Sequence, residues 1–171
     1  MKPLIPVLLL LAAPVSGQTE ELSNEELGSA RLLDRSKFPH YEQKEKWIVL
    51  EAADAGRKGT WDFDQRKCSE LAHKVKSFLK EARKNPDLAK EEKKEIESIL
   101  SKWNRYSCQF IPYTENGEML IFLNFFPFGT MTPYDVEKNF VLFSDGGSDF
   151  WQLVFRVEKD QFEDLRISGY A

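Results

Sequence analysis

The stretch from Tyr106 to Gly129, YSCQFIPYTENGEMLIFLNFFPFG, decides the fold of this chain. Runs of β-branched and aromatic residues flank Thr114-Glu-Asn-Gly117, and Asn-Gly between such runs is typical of a hairpin turn. Strands are therefore predicted at Ser107–Tyr113 and Glu118–Phe126. The second of these is apolar on both sides, which predicts a central strand covered on both faces.

Three further strands are predicted toward the C-terminus, at Lys138–Ser144, Asp149–Glu158 and Gln161–Ser168. Apolar and polar residues alternate from Trp151 to Val157, as they do in a strand with one buried face. Short turns join these strands, so the five together predict an antiparallel meander.

Apolar residues change to helical spacing upstream of the sheet. They predict one helix from about Asp64 to Lys84 and a second from Asn85 to about Trp103, where Asn-Pro-Asp is a typical helix start. The segment Tyr41–Ala55 is predicted as a further helix, with a strand at Trp47–Leu50 as the alternative. Helices followed by strands predict an α+β fold. In it, a helical hairpin at about 64–104 packs on a four- to five-stranded antiparallel meander sheet.

The first 17 residues are predicted to be a secretory signal peptide. Lys2 precedes the apolar run Leu4–Ala13, and small residues favour cleavage between Gly17 and Gln18. A membrane anchor is the alternative, but the apolar run is short for a span. The protein is therefore predicted to be secreted or periplasmic, with no membrane span after cleavage.

The remaining chain is predicted to be a polar, partly disordered leader at 18–37 and a single α+β domain at 38–171. The formal net charge of the whole chain is −4, and removal of Lys2 with the signal peptide makes it more negative. A nucleic-acid partner would need a basic face, so none is expected. No cofactor is predicted, and a protein or a small-molecule ligand stays open.

Cys68 and Cys108 are the only cysteines of the chain. Both fall near the open end of the predicted helical hairpin, and an exported protein enters an oxidising compartment. A disulfide between them is therefore predicted, with two buried thiols as the alternative. A nucleophilic cysteine is disfavoured because no histidine is placed to activate it.

No catalytic residue is predicted. The two histidines, His40 and His73, are far apart, and no phosphate-binding loop or nucleophile motif is present. Asp145 and Asp149 bracket two glycines and are weak candidates for metal ligands, although a hairpin turn needs the same residues.

The loop from Phe125 to Tyr134 combines aromatic rings with prolines, which favours contact with a protein or a sugar. Phe128 and Tyr134, together with Tyr113, are the candidate binding residues. The alternative is that the phenylalanines of this loop fold back onto the core.

The chain from about Leu71 to Ala171 resembles a small family of uncharacterised bacterial secreted proteins. The matching segments are Trp103-Asn-Arg-Tyr106, Gln109-Phe110, Asn116-Gly-Glu118, Ile121-Phe-Leu-Asn-Phe-Phe126, Asp145-Gly-Gly, Phe150-Trp-Gln152 and Ile167-Ser-Gly-Tyr-Ala171. The resemblance implies export but no activity and no functional residues. A more distant likeness, to cystatin-like architecture, concerns the fold alone.

These observations favour a non-catalytic binding module for a macromolecule or a small ligand. One alternative is a hydrolase built on the carboxylates of Asp62, Asp64, Asp145 and Asp149. A second alternative is a structural component of the cell envelope.

Overall fold

The computed structural model describes residues 43–129, 135–141 and 146–168. The predicted α+β class is confirmed: two helices accompany a five-stranded sheet within these residues. The predicted signal peptide and the polar leader lie outside the described residues. The elements are α1 Cys68–Ala82, α2 Lys90–Ser101, β1 Trp47–Val49, β2 Tyr106–Glu115, β3 Glu118–Pro127, β4 Trp151–Arg156 and β5 Gln161–Ile167.

The strands lie in the order β1-β2-β3-β4-β5, so the sheet follows the chain. In the central hairpin, Tyr106 is opposite Pro127 and Glu115 is opposite Glu118. The turn residues Asn116 and Gly117 have φ angles of 53° and 80°, the positive values that a two-residue turn between twisted strands requires. The predicted Asn-Gly hairpin is therefore confirmed.

Strand β1 pairs with β2 in the parallel sense, with Trp47 opposite Cys108. The prediction of a wholly antiparallel meander is therefore wrong, and the sheet is mixed. Both helices lie between β1 and β2 in the sequence. A connection of that length can return the chain to the end of the sheet at which β1 began.

The segment predicted as a helix at Tyr41–Ala55 is, from residue 43 onward, the strand β1 followed by a short 3-10 turn at Ala52–Ala55. Gly56 ends this turn in the left-handed region, with φ 66°. Trp47 packs on one side of the sheet and Ile48 on the other. The side chains thus alternate with the period of a strand, as the alternative prediction required.

A 3-10 turn at Gln65–Lys67 leads into α1, and Asp64 caps this turn: its carboxylate accepts a hydrogen bond from the Arg66 backbone N–H at 2.9 Å. The second helix begins at Lys90 and not at Asn85, because Asn85 accepts a hydrogen bond from the Asp87 N–H within the connecting turn. Leu88 leaves this turn to join the core. Neither these helices nor any other described stretch is a helix long and apolar enough to cross a membrane.

Strand β3 is buried on both sides, as predicted, and the two faces have separate apolar clusters. One face, called the helical face below, carries Ile121, Leu123 and Phe125 under α1 and α2. The other, the loop face, is covered by chain from the regions of Ala52 and Val141.

A row of three amide side chains crosses the loop face. Gln109, Asn124 and Gln152 are cross-strand neighbours on β2, β3 and β4. Gln109 donates hydrogen bonds of 2.8 Å to the carbonyls of Val136 and Asn139. These contacts hold residues 135–141 against the sheet.

The strand predicted at Lys138–Ser144 is absent from its described part, residues 138–141, and the remainder lies outside the described residues. The physical reason is the amide row. Asn124 donates to the Val141 carbonyl at 2.7 Å, and the Val141 N–H donates to Gln109 Oε1 at 3.2 Å. The backbone of Val141 is therefore satisfied by side chains, without a neighbouring strand.

Candidate functional site

A cavity of about 250 Å³ opens on the helical face. It lies between the loop 61–64, the first turns of α1 and the ends of β3 and β4 that meet the hairpin turns. We call it the cleft. Its lining combines aromatic, aliphatic and charged residues from three separate parts of the chain.

The floor of the cleft is apolar and belongs to the core. Ile121 and Phe155 are cross-strand neighbours on β3 and β4, and both are buried. Leu71 of α1 and Val157, just beyond β4, complete this floor. The floor is rigid because β3 and β4, which carry Ile121 and Phe155, are each hydrogen-bonded to a neighbouring strand on both sides.

The wall of the cleft consists of Trp61 and Phe63, whose rings meet edge to face with centroids 5.7 Å apart. The Trp61 indole N–H is shared between the carbonyls of Tyr113 and Leu120, at 3.1 and 3.2 Å. Phe63 stacks on Phe110 with centroids 6.1 Å apart. The loop is thus anchored to the sheet by its rings.

The acidic side of the rim is the same loop. Asp62 is exposed, while Asp64 forms an ion pair with Arg66 at 2.9 Å. Hydrogen bonds from Arg66 hold the pKa of Asp64 below its usual value, and the charge of Lys67 acts in the same direction. Asp64 therefore stays ionised and is engaged by its own neighbours.

The opposite side of the rim is the exposed edge of α1, which presents Lys67, Glu70 and Lys74. Lys74 donates to Asp160 at 2.7 Å, and this hydrogen bond raises the pKa of Lys74. Glu70, four residues before Lys74, raises that pKa further by its charge. Both signs of charge are therefore present at the mouth of an apolar cleft.

The structure separates the carboxylates considered as a catalytic set. Asp62 and Asp64 lie at the cleft beside Ile121, whereas Asp149 receives a hydrogen bond from Lys102 at 2.8 Å near the other end of β3. Ile121 and Phe125, which is opposite Trp151, are four residues apart on β3, or about 14 Å. Asp145 lies outside the described residues.

Metal ligands do not cluster in the described ranges: no group of three or more histidine, cysteine, aspartate or glutamate residues there could hold an ion. Asp149, one of the two weak metal candidates, is paired with Lys102 instead. His73 is exposed on α1, and its ring bonds the Ser69 carbonyl one turn earlier in the same helix.

The three candidate binding residues have different environments. Tyr113 is only 4% exposed on the loop face, where the Arg57 guanidinium lies 4.3 Å from its ring centre. Phe128 is 48% exposed, just after β3. Tyr134 lies outside the described residues. Tyr113 thus packs in the core and has no ring face to offer a partner, whereas Phe128 has one.

Cys68 and Cys108 are free thiols in the structure, in place of the predicted disulfide. Both are fully buried in the helical-face cluster, where a thiol packs as a small apolar side chain. Burial raises the pKa of Cys68 to about 12. Burial and then the neighbouring Cys68 raise the pKa of Cys108 well above its usual value. These are structural cysteines, and neither is a nucleophile at neutral pH.

A polar cluster joins α2 to the turn before β4. Ser148 Oγ lies 2.8 Å from Ser98 Oγ and 3.3 Å from Lys102 Nζ, and its carbonyl accepts a hydrogen bond from the Tyr106 hydroxyl. Serine and lysine together suggest nucleophilic chemistry. Lys102, however, donates to Asp149 and Ser148, and Ser148 is buried, so the cluster fastens the turn to the helix.

The aromatic residues of the cleft were missed in the sequence because they are distant along the chain. The local signal was the alternation of rings and carboxylates in Trp61-Asp-Phe-Asp64, all four of which line the cleft. Nothing in that segment indicates that Phe155, some ninety residues later by the numbering, completes the same site.

The resemblance of Leu71–Ala171 to a family of bacterial secreted proteins stays a prediction. The functional interpretation therefore rests on the contacts of the cleft itself. No protein-family model, curated protein or solved structure matches this chain.

Proposed function

We propose that this protein is a non-catalytic binding module whose ligand is a small molecule held in the cleft. The observation that supports this proposal is a cavity of about 250 Å³ with an apolar floor, an aromatic wall and a charged rim. A cavity of roughly 150 Å³ accommodates a benzene ring, so the cleft suits one ring with a short substituent. Apolar walls with a few polar groups are the usual design of a small-molecule site.

Binding is favoured over catalysis because of what lines the cleft. Among the described residues, its lining has no histidine, serine or cysteine to act as a base or a nucleophile. Asp64 is engaged by Arg66, which keeps its pKa low, and a carboxylate held ionised cannot act as a general acid. The carboxylate-based hydrolase therefore remains the weaker candidate, and so does a purely structural envelope component.

The wider setting belongs to the same proposal. The predicted signal peptide would place the module outside the cytoplasm, as a secreted or periplasmic protein. A helical layer on one face of a sheet also keeps the cystatin-like comparison as a proposal about architecture, with no function attached. The exposed ring of Phe128 is an argument for a macromolecular partner, but a single exposed ring is ordinary on a protein surface.

The test is a fragment screen followed by amide NMR on the full chain. Fragments with one ring should shift the signals of Phe63, Phe155 and Val157. Val157→Trp, which fills the cleft, should abolish these shifts. Ile167→Trp is the matched control, because both residues are partly buried against the same cluster and only Val157 lines the cleft.

Two results would contradict the proposal. One is a screen in which no fragment shifts the cleft signals. The other is binding that survives Val157→Trp and is equally strong in Ile167→Trp, which would place the fragments elsewhere.

A further inference from the structure

We infer that the ligand of the cleft is an organic cation, with a flat apolar body and a protonated amine that pairs with Asp62. This inference rests on the proposed function and names its ligand class. It follows from the negative charge that remains at the rim once the ion pairs are set aside. It follows also from the aromatic rings that line the cleft beside Asp62.

Two of the five charged residues that line the cleft, Asp64 and Lys74, are held in ion pairs within the protein. Asp64 is paired with Arg66, and the charge of Lys67 also acts on Asp64. Lys74 is paired with Asp160 and interacts with Glu70. A ligand that sought Asp64 or Lys74 would have to compete with an existing ion pair. The other three charged residues of the lining are two carboxylates, Asp62 and Glu70, and one lysine, Lys67, so the charge left over is negative.

Asp62 is the carboxylate of this remainder that lies next to the aromatic residues of the wall. Within the described part of the chain it makes no hydrogen bond or ion pair, although it lines the cleft. It stands between Trp61 and Phe63 in the sequence and, like both of them, lines the cleft. The charge that the cleft lacks is therefore positive, and its place is beside Asp62.

The aromatic wall favours the same sign of charge. The face of an aromatic ring attracts a cation through its quadrupole, and indole does so most strongly. Lys74 already shows this preference, because its ammonium lies 5.9 Å from the centre of the Phe155 ring in the floor. An amine on the ligand would find Asp62 and the wall of Trp61 and Phe63 together.

An anionic ligand fits less well. Its counter-charges would be Lys67 and Lys74, and Lys74 is held at 2.7 Å by Asp160, so Lys67 alone would face Asp62 and Glu70. Three carboxylates against two lysines line the cleft, so an incoming anion also meets the larger number of like charges. The cleft therefore favours a cation over an anion of the same shape.

The experiment compares three probes of one shape: 2-phenylethylammonium, 2-phenylethanol and 3-phenylpropionate. Probes of about ten non-hydrogen atoms, at roughly 0.3 kcal/mol per atom, bind with Kd values in the millimolar range, so amide NMR titration of the full chain is the suitable measurement. The ammonium should bind about fivefold more tightly than the alcohol, and the propionate should bind more weakly than both.

Asp62→Asn should remove the preference for the ammonium and leave the affinity for the alcohol unchanged. Asp54→Asn is the matched control: Asp54 is also exposed, but it lies in the 3-10 turn that covers the loop face. It should leave all three affinities as they are. Raising the salt concentration should weaken the ammonium preference in the natural chain, because an exposed ion pair is screened.

The outcomes separate the two proposals. If no probe shifts the cleft signals, the proposed function falls and this inference falls with it. If the alcohol or the propionate binds as well as the ammonium, or if Asp62→Asn retains the preference, the site stands and the cation assignment is overturned.

Discussion

The helical face and the loop face of one sheet are covered in opposite ways. Helices satisfy their own backbone hydrogen bonds, so α1 and α2 pack on the helical face mainly through apolar side chains, among them Leu79 and Ile99. The loop face is covered by irregular chain that has unpaired carbonyls to satisfy. There the sheet itself supplies buried amides, among them Gln109 and Asn124. The type of cover thus decides whether a strand buries polar or apolar side chains.

The same difference explains where the cleft lies. Two helices are rigid rods and do not cover the whole helical face, so a gap remains where α1 begins near Leu71. On the loop face, by contrast, irregular chain follows the sheet closely, and Arg57 closes over Tyr113 and Phe122. A binding site is therefore expected on the face covered by helices.

The largest effect is predicted for Gln109→Leu. Gln109 is fully buried and makes four hydrogen bonds, with Val136, Asn139, Asn124 and Val141. Leucine would leave those groups unsatisfied, and we expect the free energy of unfolding to fall by about 4 kcal/mol. Urea denaturation measures the loss. Hydrogen exchange should also show residues 135–141 opening first. An unchanged urea midpoint would contradict the conclusion that buried amide hydrogen bonds hold the cover of the loop face.

Leu79→Ala should have the next largest effect. Leu79 is fully buried under the helical face, and its truncation removes apolar contact and leaves a cavity, which costs about 3 kcal/mol. The same urea experiment applies. Amides at 135–141 should lose no more protection than the rest of the chain, because this defect is apolar and lies across the sheet. Selective opening of 135–141 would break the comparison between the two faces.

Trp61→Phe should have a smaller effect that sharpens the account of the cleft. Phenylalanine keeps an aromatic wall but loses the N–H shared by the Tyr113 and Leu120 carbonyls, at a cost of about 1 kcal/mol. Fragment affinity should weaken because the wall is less firmly anchored. Trp47→Phe is the control, since Trp47 packs on the same cluster but does not line the cleft. Equal weakening in both variants would contradict this role.

The smallest effect at neutral pH concerns the two cysteines. Because the pKa of Cys68 is raised from 9.0 to about 12, the thiol keeps its proton in the folded protein and loses it earlier in the unfolded chain. Stability is therefore unaffected below about pH 9 and falls as the pH rises from there toward 12. Denaturation midpoints across this range measure the slope, which Cys68→Ala should reduce.

Thiol titration offers an independent check on the same residues. The native, reduced protein should react with a thiol reagent only slowly at pH 8, because both sulfurs are buried and protonated. Two thiols should appear on unfolding. Rapid reaction of the native protein would show that the core around Cys108 is open.

Much of the fold could be predicted because its signals are local. The hairpin turn at Asn116-Gly117, the alternation from Trp151 to Val157 and the apolar stripe of α1 each depend on residues a few positions apart. β1 was ambiguous because three residues are too few to show a period. The start of α2 was placed too early, because Asn85 caps a turn in the same way that it would cap a helix.

What the sequence by itself determined is the hairpin of β2 and β3, the strands β4 and β5, the helices α1 and α2, and the faces that these elements bury, because side-chain periodicity follows directly from backbone geometry. The tertiary structure decided the features that side-chain periodicity does not encode. It paired β1 parallel to β2, laid 135–141 on the amides of Gln109 and Asn124, and brought Trp61 and Phe155 together around the cleft. Each of these depends on contacts between residues far apart in the chain, which form only when the whole core packs.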